Sequence, residues 1–174
     1  MKKIVQKEDP VLRKKAKEIP VHDITSASVK KVIVEMKKTL AKESDGVAIA
    51  APQIGESLRI FVVAGKAIDM VKGVETESPD YIPSPDETYI NPVITKRSRE
   101  KKLMEEGCLS VRYLYGKIER SVRCSVTAYD EKGKKFERGA SGLLAQIFQH
   151  ETDHLDGILF IDSAVDLEDL PPEK

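Results

Sequence analysis

The stretch that most restricts the fold is a predicted helix near the C-terminal end of the chain. Ser141 is a typical N-cap residue and Gly157 a typical helix terminator. The apolar residues between them recur at three- and four-residue spacing: Leu143, Leu144, Ile147 and Phe148. A helix with this pattern must bury its apolar side against other elements. It also carries His150, Glu151 and His154, and buried polar side chains of this kind need partners.

The two histidines of this helix are spaced to bind one metal ion. Positions i and i+4 lie on the same helix face, so His150 and His154 can reach one ion together. Glu151 lies beside them and can reach a water molecule at that ion without being a ligand, as in the H-E-x-x-H motif of metal-dependent hydrolases. The five-residue pattern alone also fits a solvated helix end. Ligands from elsewhere in the chain therefore decide between the two interpretations.

Two further candidate site residues lie far from this helix. The thiolate of Cys108 is a good ligand for zinc or Fe(II), although a free cysteine is also often a small buried hydrophobe. Gln53 ends a run of small residues at 46–51, where its amide could donate to an oxyanion or be an ordinary loop side chain. Cys124 fits an alternating strand pattern and is assigned to the core. Two cysteines in all make a disulfide framework unlikely.

Length and composition exclude several classes of protein. The 174 residues suit one domain, and 40% hydrophobic with 33% charged residues is an ordinary soluble composition. Basic and acidic residues number 29 each, so charge gives no case for nucleic acid or an anionic membrane as the main partner. No apolar run approaches the roughly 20 residues that span a bilayer. Because the N-terminal residues show no signal-peptide pattern, we expect a cytoplasmic protein.

Periodicity and turn residues predict the remaining elements. Helices are expected at 10–20 and 25–44, strands at 58–64, 89–95, 118–129 and 158–161, and a hairpin turn at 130–133. Pro92 would place its strand at a sheet edge. We expect a long loop at 65–87 and a flexible tail at 166–174.

Three motifs, taken in order, resemble those of the peptide deformylase family. Residues 46–53 (GVAIAAPQ), 106–110 (EGCLS) and 149–154 (QHETDH) are similar to the family's G-x-G-x-A-A-x-Q, E-G-C-L-S and Q-H-E-x-D-H. Residues 9–13 and 141–145 are also similar, so the resemblance covers nearly the whole chain. It implies a single α+β domain over residues 1–174, with N-terminal helices and a metal-bearing helix packed among small antiparallel β-sheets.

The resemblance also implies an activity, which is removal of the N-formyl group from the formyl-methionine of newly made proteins, with release of formate. Cys108, His150 and His154 would hold one divalent metal ion, Fe(II) in vivo, with zinc or nickel possible in purified protein. Water would be activated by the metal and Glu151. The Gln53 amide and the Leu109 N–H would join the metal in stabilising the oxyanion.

A pair between Glu106 and Arg120 would fix the loop that carries the metal-binding cysteine. Two solvated charges are the alternative for this pair.

The pocket for the first substrate side chain departs from the family pattern. The resemblance lines it with Val47, Leu143 and His150, but Ala48 stands where a second glycine is usual and Gln146 stands at an apolar position. Gln146 could weaken the preference for methionine or accept a more polar side chain. In addition, Arg112 stands where proline is common, which could bend the loop after the cysteine differently.

The expected partners are the formylated nascent peptide and the ribosome near its tunnel exit. The acidic tail lacks the basic helix that some family members use near the ribosome, which argues against docking through the tail. No membrane or nucleic-acid motif is present.

Two other functions compete with deformylation. A zinc endopeptidase of the H-E-x-x-H type would explain the helix but leave Cys108, Leu109 and Gln53 without a role. A non-catalytic, metal-stabilised relative of the deformylases would need neither Glu151 nor Gln53.

Overall fold

The computed structural model describes residues 2–172, and these form two antiparallel sheets around one long helix. The strands are β1 (Ala48–Ala50), β2 (Ile60–Val63), β3 (Glu87–Arg97), β4 (Lys101–Gly107), β5 (Leu114–Ser121), β6 (Arg123–Tyr129), β7 (Lys135–Ser141) and β8 (Val165–Asp169). The helices are α1 (Ala27–Leu40), α2 (Gly65–Val71) and α3 (Gly142–Leu155). One sheet has the order β1-β2-β3-β6-β7 and the other β4-β5-β8. This confirms the expected α+β fold.

Helix α3 is the centre of the fold because its apolar face packs on the five-stranded sheet. Phe148 is fully buried against Tyr89, with ring centroids 5.0 Å apart, and Tyr89 stacks on Phe61 at 4.7 Å. Aromatic side chains of this size contribute much of the buried apolar area of a small core. The helix begins at the expected residue, although the Ser141 side chain makes no capping hydrogen bond.

Helix α1 covers the other side of the five-stranded sheet and is shorter than predicted. The Ser26 hydroxyl accepts the Val29 N–H at 3.3 Å and so fixes its start. Its buried residues follow helical spacing: Val29, Ile33, Met36, Thr39 and Leu40. Before it, the helix predicted at 10–20 is only a 3-10 turn at Pro10–Arg13, where Asp9 Oδ1 accepts the Val11 N–H. None of the helices within residues 2–172 is long and apolar enough to cross a membrane.

The single strand predicted at 118–129 is wrong, because this stretch forms two strands that belong to different sheets. The first of these strands, β5, ends at Ser121. The backbone N–H and C=O of Ser121 both bond to the side chain of Gln149 on α3, at 3.0 and 2.9 Å. At this point the Gln149 side chain takes the place of a neighbouring strand. The chain leaves β5 here and enters β6 two residues later. The polar strand β4 was not predicted.

The edge position predicted from Pro92 is also wrong, because β3 lies in the middle of its sheet between β2 and β6. The register shifts between Ile90 and Val93, so the proline lies in a bulge where no ladder N–H is needed. Asn91 adopts a φ of 50° there, and its amide pairs with both the N–H and the C=O of Ile19, at 2.9 and 2.7 Å.

The segment predicted as a loop at 65–87 contains α2, and only the part that follows this helix lacks regular structure up to β3. Asp69 on α2 anchors that part, since its carboxylate accepts hydrogen bonds from Tyr81 Oη and from the N–H and hydroxyl of Ser84. The last predicted strand, 158–161, is instead a 3-10 turn at Phe160–Asp162.

The predicted flexible tail contains β8, which pairs with β5. Residues 173 and 174 of that tail lie outside the described residues.

Candidate metal centre

Helix α3 and the loop after β4 bring the three predicted ligands together. The rings of His150 and His154 lie on one helix face, with centroids 4.9 Å apart. Cys108 Sγ lies 3.2 Å from His154 Nε2, and the donor atoms of all three residues lie within 4.8 Å of one another. Residues far apart in sequence therefore meet at one point, as predicted.

The chemistry of this group fits one divalent transition metal. A sulfur and two imidazole nitrogens are the donor types found around zinc and Fe(II), and both metals take ligands at about 2.0–2.3 Å. His154 is 1% exposed, and its Nδ1 has no hydrogen-bond partner among the described residues. Burial lowers the pKa of His154 well below its usual value, which keeps its nitrogen lone pair available for a metal.

The buried carboxylate of Glu106 fixes the ring of His150. His150 Nδ1–H donates to Glu106 Oε1 at 2.6 Å, which leaves Nε2 as the nitrogen that faces Cys108. Burial alone lowers the pKa of His150, but hydrogen bonds with Cys108 and Glu106 outweigh it and raise that pKa well above its usual value. A carboxylate bonded to the far nitrogen of a histidine is a usual second partner in metal sites, because it sets the tautomer and the ring orientation.

The predicted pair between Glu106 and Arg120 is confirmed and is bidentate. Arg120 donates from Nε to Oε2 at 2.9 Å and from Nη2 to Oε1 at 2.7 Å, and both side chains are buried. Burial raises the pKa of Glu106, but the hydrogen bonds from Arg120 and His150 outweigh it and lower that pKa to about 2. Arg120 also donates to Asp153 on α3 at 2.6 Å, a contact that the sequence did not predict.

Glu151 has the environment of a proton carrier. It is 4% exposed, lies at the wall of the cleft beside the histidines, and its Oε2 has no hydrogen-bond partner in the part of the chain that the structure describes. Burial raises the pKa of this carboxyl to about 7. A group with such a pKa can both take and return a proton near neutral pH.

The two predicted oxyanion donors lie next to the cysteine. Gln53 Oε1 accepts the Ala50 N–H at 2.8 Å, which turns its NH2 towards Ser110 Oγ at 3.2 Å and Cys108 Sγ at 3.6 Å. The Leu109 N–H has no hydrogen-bond partner among residues 2–172. Both residues line one cleft beside the cysteine. The contribution of Ser110, which holds the Gln53 amide, was missed although it lies within the EGCLS motif.

A cleft of about 300 Å³ opens beside this centre, and all four predicted pocket residues line it. They are Val47, Ala48, Leu143 and Gln146. The Ala48 methyl also packs in the main apolar core, so it is only 5% exposed. Arg112 lies at the rim of the cleft, where its guanidinium pairs with Glu43 and with Asp45, the latter at 3.3 Å. These two acidic partners were not predicted, because nothing in their local sequence indicates them.

Gln146 lines the cleft but bonds its amide to the end of β4. Its Nε2 donates to the backbone oxygen of Glu105 at 2.7 Å and to Glu106 Oε2 at 3.2 Å. The amide hydrogens are therefore already bonded to β4.

Proteins similar to this chain in sequence include named peptide deformylases. Peptide deformylase 1A of Arabidopsis thaliana, named as chloroplastic/mitochondrial, is 40% identical over 168 residues, which cover 93% of this chain and 61% of that protein. The peptide deformylase of Desulforudis audaxviator is 40% identical over 161 residues, which cover 92% of both chains. This chain thus spans less than two thirds of the plant relative and most of the bacterial one.

The structural comparison agrees. The Met-Ala-Ser-bound class I type b peptide deformylase of Acinetobacter baumannii has a TM-score of 0.78 and 31% identity, with 92% of this chain and 96% of that chain covered. A family model described as polypeptide deformylase matches residues 1–169. Since that match includes every element of the fold and every residue of the metal centre, the chain belongs to the polypeptide deformylase family.

Proposed function

We propose that this protein hydrolyses the N-terminal formyl group of newly made peptides and releases formate. The observation that carries the proposal is the meeting of Cys108, His150 and His154 beside the buried carboxylate of Glu151, whose Oε2 has no hydrogen-bond partner within residues 2–172. An endopeptidase would not need the cysteine, and a purely structural metal site would not need a carboxylate with a pKa near 7 at the wall of an open cleft.

The three ligands would hold one divalent ion, and we propose Fe(II) because a thiolate is a soft ligand. Bound there, the ion would supply positive charge that polarises the formyl carbonyl and lowers the pKa of a water molecule. A thiolate ligand also makes the site sensitive to oxidation, so zinc or nickel would be the more durable replacements in purified protein.

Glu151 moves the proton. It accepts one proton from the attacking water while the water oxygen bonds to the formyl carbon. When the carbon–nitrogen bond breaks, Glu151 returns that proton to the leaving amine, so that formate and a free N-terminus result. General acid–base catalysis of this kind contributes roughly 10²–10⁴-fold in rate.

Gln53 and Leu109 stabilise the negative charge that develops on the formyl oxygen. Gln53 Nε2 lies 3.6 Å from Cys108 Sγ, the Leu109 N–H belongs to the residue after Cys108, and both residues line the cleft. Removing one such donor typically costs about 10²–10³-fold in rate. The substrate's first side chain would lie against Val47, Ala48 and Leu143, as expected for methionine. The tripeptide bound by the Acinetobacter relative, Met-Ala-Ser, is the product such a reaction would give.

The test is formate release from formyl-Met-Ala-Ser under anaerobic Fe(II) loading. We expect turnover of this peptide but neither release of acetate from acetyl-Met-Ala-Ser nor internal cleavage of longer peptides. Glu151→Gln keeps the shape of the side chain and should lose at least 10²-fold in kcat while the protein retains its metal. Internal cleavage without formate release would favour the endopeptidase. Metal binding without any turnover would favour the non-catalytic alternative.

We also propose that the protein meets its substrate at the ribosome, and we assign the contact to a basic surface rather than to the acidic tail. Five exposed cations lie close together at the turn from β3 to β4: Lys96, Arg97, Arg99, Lys101 and Lys102. A groove of about 650 Å³ beside them is lined by Lys96, Arg97 and Arg123, and none of the described residues that line it is acidic. Glu100 lies in the same turn and Lys101 pairs with Glu119 at 3.2 Å, but the cations still outnumber these acids, and such a surface suits RNA phosphates.

Co-sedimentation with ribosomes at low and high salt tests this contact. The double substitution Lys96→Glu and Arg97→Glu should weaken binding at least tenfold and make it less salt-dependent, because each lost phosphate contact lowers the slope by about 0.7–0.9. The matched control reverses the charge of the exposed Lys134 and Lys135 on the β6–β7 hairpin by the same substitution to glutamate. Equal loss in both variants would refute the assignment. The sequence predicts a cytoplasmic protein, and this stays a prediction. The Arabidopsis relative is named for two organelles.

A further inference from the structure

We propose that Gln146 is a positioning residue that slows the loss of the metal ion by holding the cysteine-bearing strand against the histidine-bearing helix. The proposal rests on the metal centre described under the proposed function, but not on the identity of the substrate. It assigns to Gln146 a role different from the one its place in the pocket suggested, which was contact with the substrate's first side chain.

The orientation of the Gln146 amide follows from its neighbours. One is the backbone oxygen of Glu105 at 2.7 Å and the other is the carboxylate oxygen Oε2 of Glu106 at 3.2 Å. The Glu105 oxygen is a backbone carbonyl that can only accept, and Glu106 Oε2 already accepts from Arg120 Nε at 2.9 Å. The amide must therefore turn its NH2 to them, because the opposite orientation would set its oxygen against two other oxygens.

The second of these bonds completes the set of donors around the Glu106 carboxylate. Oε1 accepts from Arg120 and His150, and Oε2 accepts from Arg120 and Gln146, so each oxygen has two donors. The bond to Glu105 ties the end of β4 directly to α3. Because the carboxylate has no free direction in which to rotate, the ring of His150 that it holds is fixed as well.

The two halves of the metal centre depend on this connection. Cys108 follows β4, whereas His150 and His154 belong to α3, and Gln146 lies one helical turn before His150. Loss of the Gln146 bonds would let the strand end move relative to the helix and change the distance between the sulfur and the two nitrogens. Substitution of such supporting residues typically changes metal affinity 10- to 100-fold. We expect a change in metal affinity of about tenfold here, because Arg120 would still hold Glu106.

Three substitutions separate hydrogen bonding from packing. Gln146→Glu keeps the shape but replaces the donor by a carboxylate, Gln146→Met keeps the length without any donor, and Gln146→Arg retains donors for both oxygens. The control is Glu105→Gln, which alters charge next to the site without touching the backbone oxygen that Gln146 uses. The Glu105 side chain is exposed and makes no hydrogen bond or ion pair among the described residues.

The readout is the rate at which cobalt(II)-loaded protein loses its metal to an excess of chelator, followed by the absorption of the thiolate–cobalt bond. We expect Gln146→Glu and Gln146→Met to lose the metal about tenfold faster, with a shifted absorption spectrum. Gln146→Arg and the control should stay within twofold of the unsubstituted protein.

Metal loss at the unsubstituted rate in Gln146→Met would overturn the proposal. So would equally fast loss in Gln146→Arg, since packing rather than donation would then be responsible. If a variant is unstable, its spectrum at low temperature, before any metal is lost, still reports whether the ligand geometry has changed. Failure of the unsubstituted protein to release formate would contradict the proposed activity but leave this comparison intact.

Discussion

Replacement of Arg120 by methionine tests whether the buried ion pairs behind the metal centre hold the fold together. Arg120 makes three charge-assisted hydrogen bonds, two to Glu106 and one to Asp153, and its side chain is 7% exposed. Methionine fills much of the same space but leaves the Glu106 carboxylate buried without its cation. Removing one partner of a buried pair typically costs about 3–5 kcal/mol in the free energy of unfolding.

This cost is large enough to measure as a change in Tm. For a chain of this size each kcal/mol lowers Tm by about 2–4 °C, so Arg120→Met should unfold roughly 6–20 °C below the unsubstituted protein. Thermal and urea unfolding should be followed with the metal removed by chelator, because a bound ion would add its own stabilisation by mass action. Under these conditions the difference between variants reports the polar network alone.

An exposed pair of the same geometry provides the control. Arg13 is also bidentate, donating to the two oxygens of Asp162 at 2.6 and 3.0 Å, but its side chain is 45% exposed. Solvent screens such a pair, so Arg13→Met should cost at most about 1 kcal/mol. If the two substitutions lower Tm equally, burial is not what makes the Arg120 pair important, and the reasoning is refuted.

Three further predictions follow from single contacts or from the metal. Gln149→Leu should lower the free energy of unfolding by about 2–4 kcal/mol in urea titrations, because it leaves the buried N–H and C=O of Ser121 without partners. Asn91→Ala should cost about 2 kcal/mol in the same assay, since it loses both bonds to Ile19 and places alanine at positive φ. Metal added to the metal-free protein at 100 times its Kd should raise the free energy of unfolding by about 2.7 kcal/mol. Circular dichroism should not show the gain of secondary structure that metal-driven folding would produce.

The three residues of the candidate metal centre could be found from sequence because each lies in a short motif with its own chemical pattern. The i, i+4 spacing of His150 and His154 requires only helix geometry, and the scarcity of histidine and cysteine in this chain leaves few other candidates. That Glu106 pairs with Arg120 was left open, because an exposed pair and a buried one look the same in sequence. Burial, which decides between the two, is a property of the folded chain.

Several of the wrongly predicted elements are determined by long-range hydrogen bonds. The break between β5 and β6 depends on the side chain of Gln149, and the bulge that allows Pro92 into a central strand depends on Asn91 bonding to Ile19. Local propensity contains no information about partners 28 or 72 residues away. The same holds for β8, whose acidic sequence suggested a tail but whose backbone pairs with β5.

Polar contacts between protein groups connect the two parts of the candidate metal centre. Three of the contacts between the strands that lead to Cys108 and the helix that carries the histidines are Gln146 to Glu105, Glu106 to His150, and Arg120 to Asp153. All three contacts are between protein groups. The helix that they reach is also held in place by the packing of its apolar face. These protein contacts set the position of the strand end before Cys108 relative to the helix face that carries the two histidines, so the three side chains would leave one position of a four-coordinate ion to substrate or water.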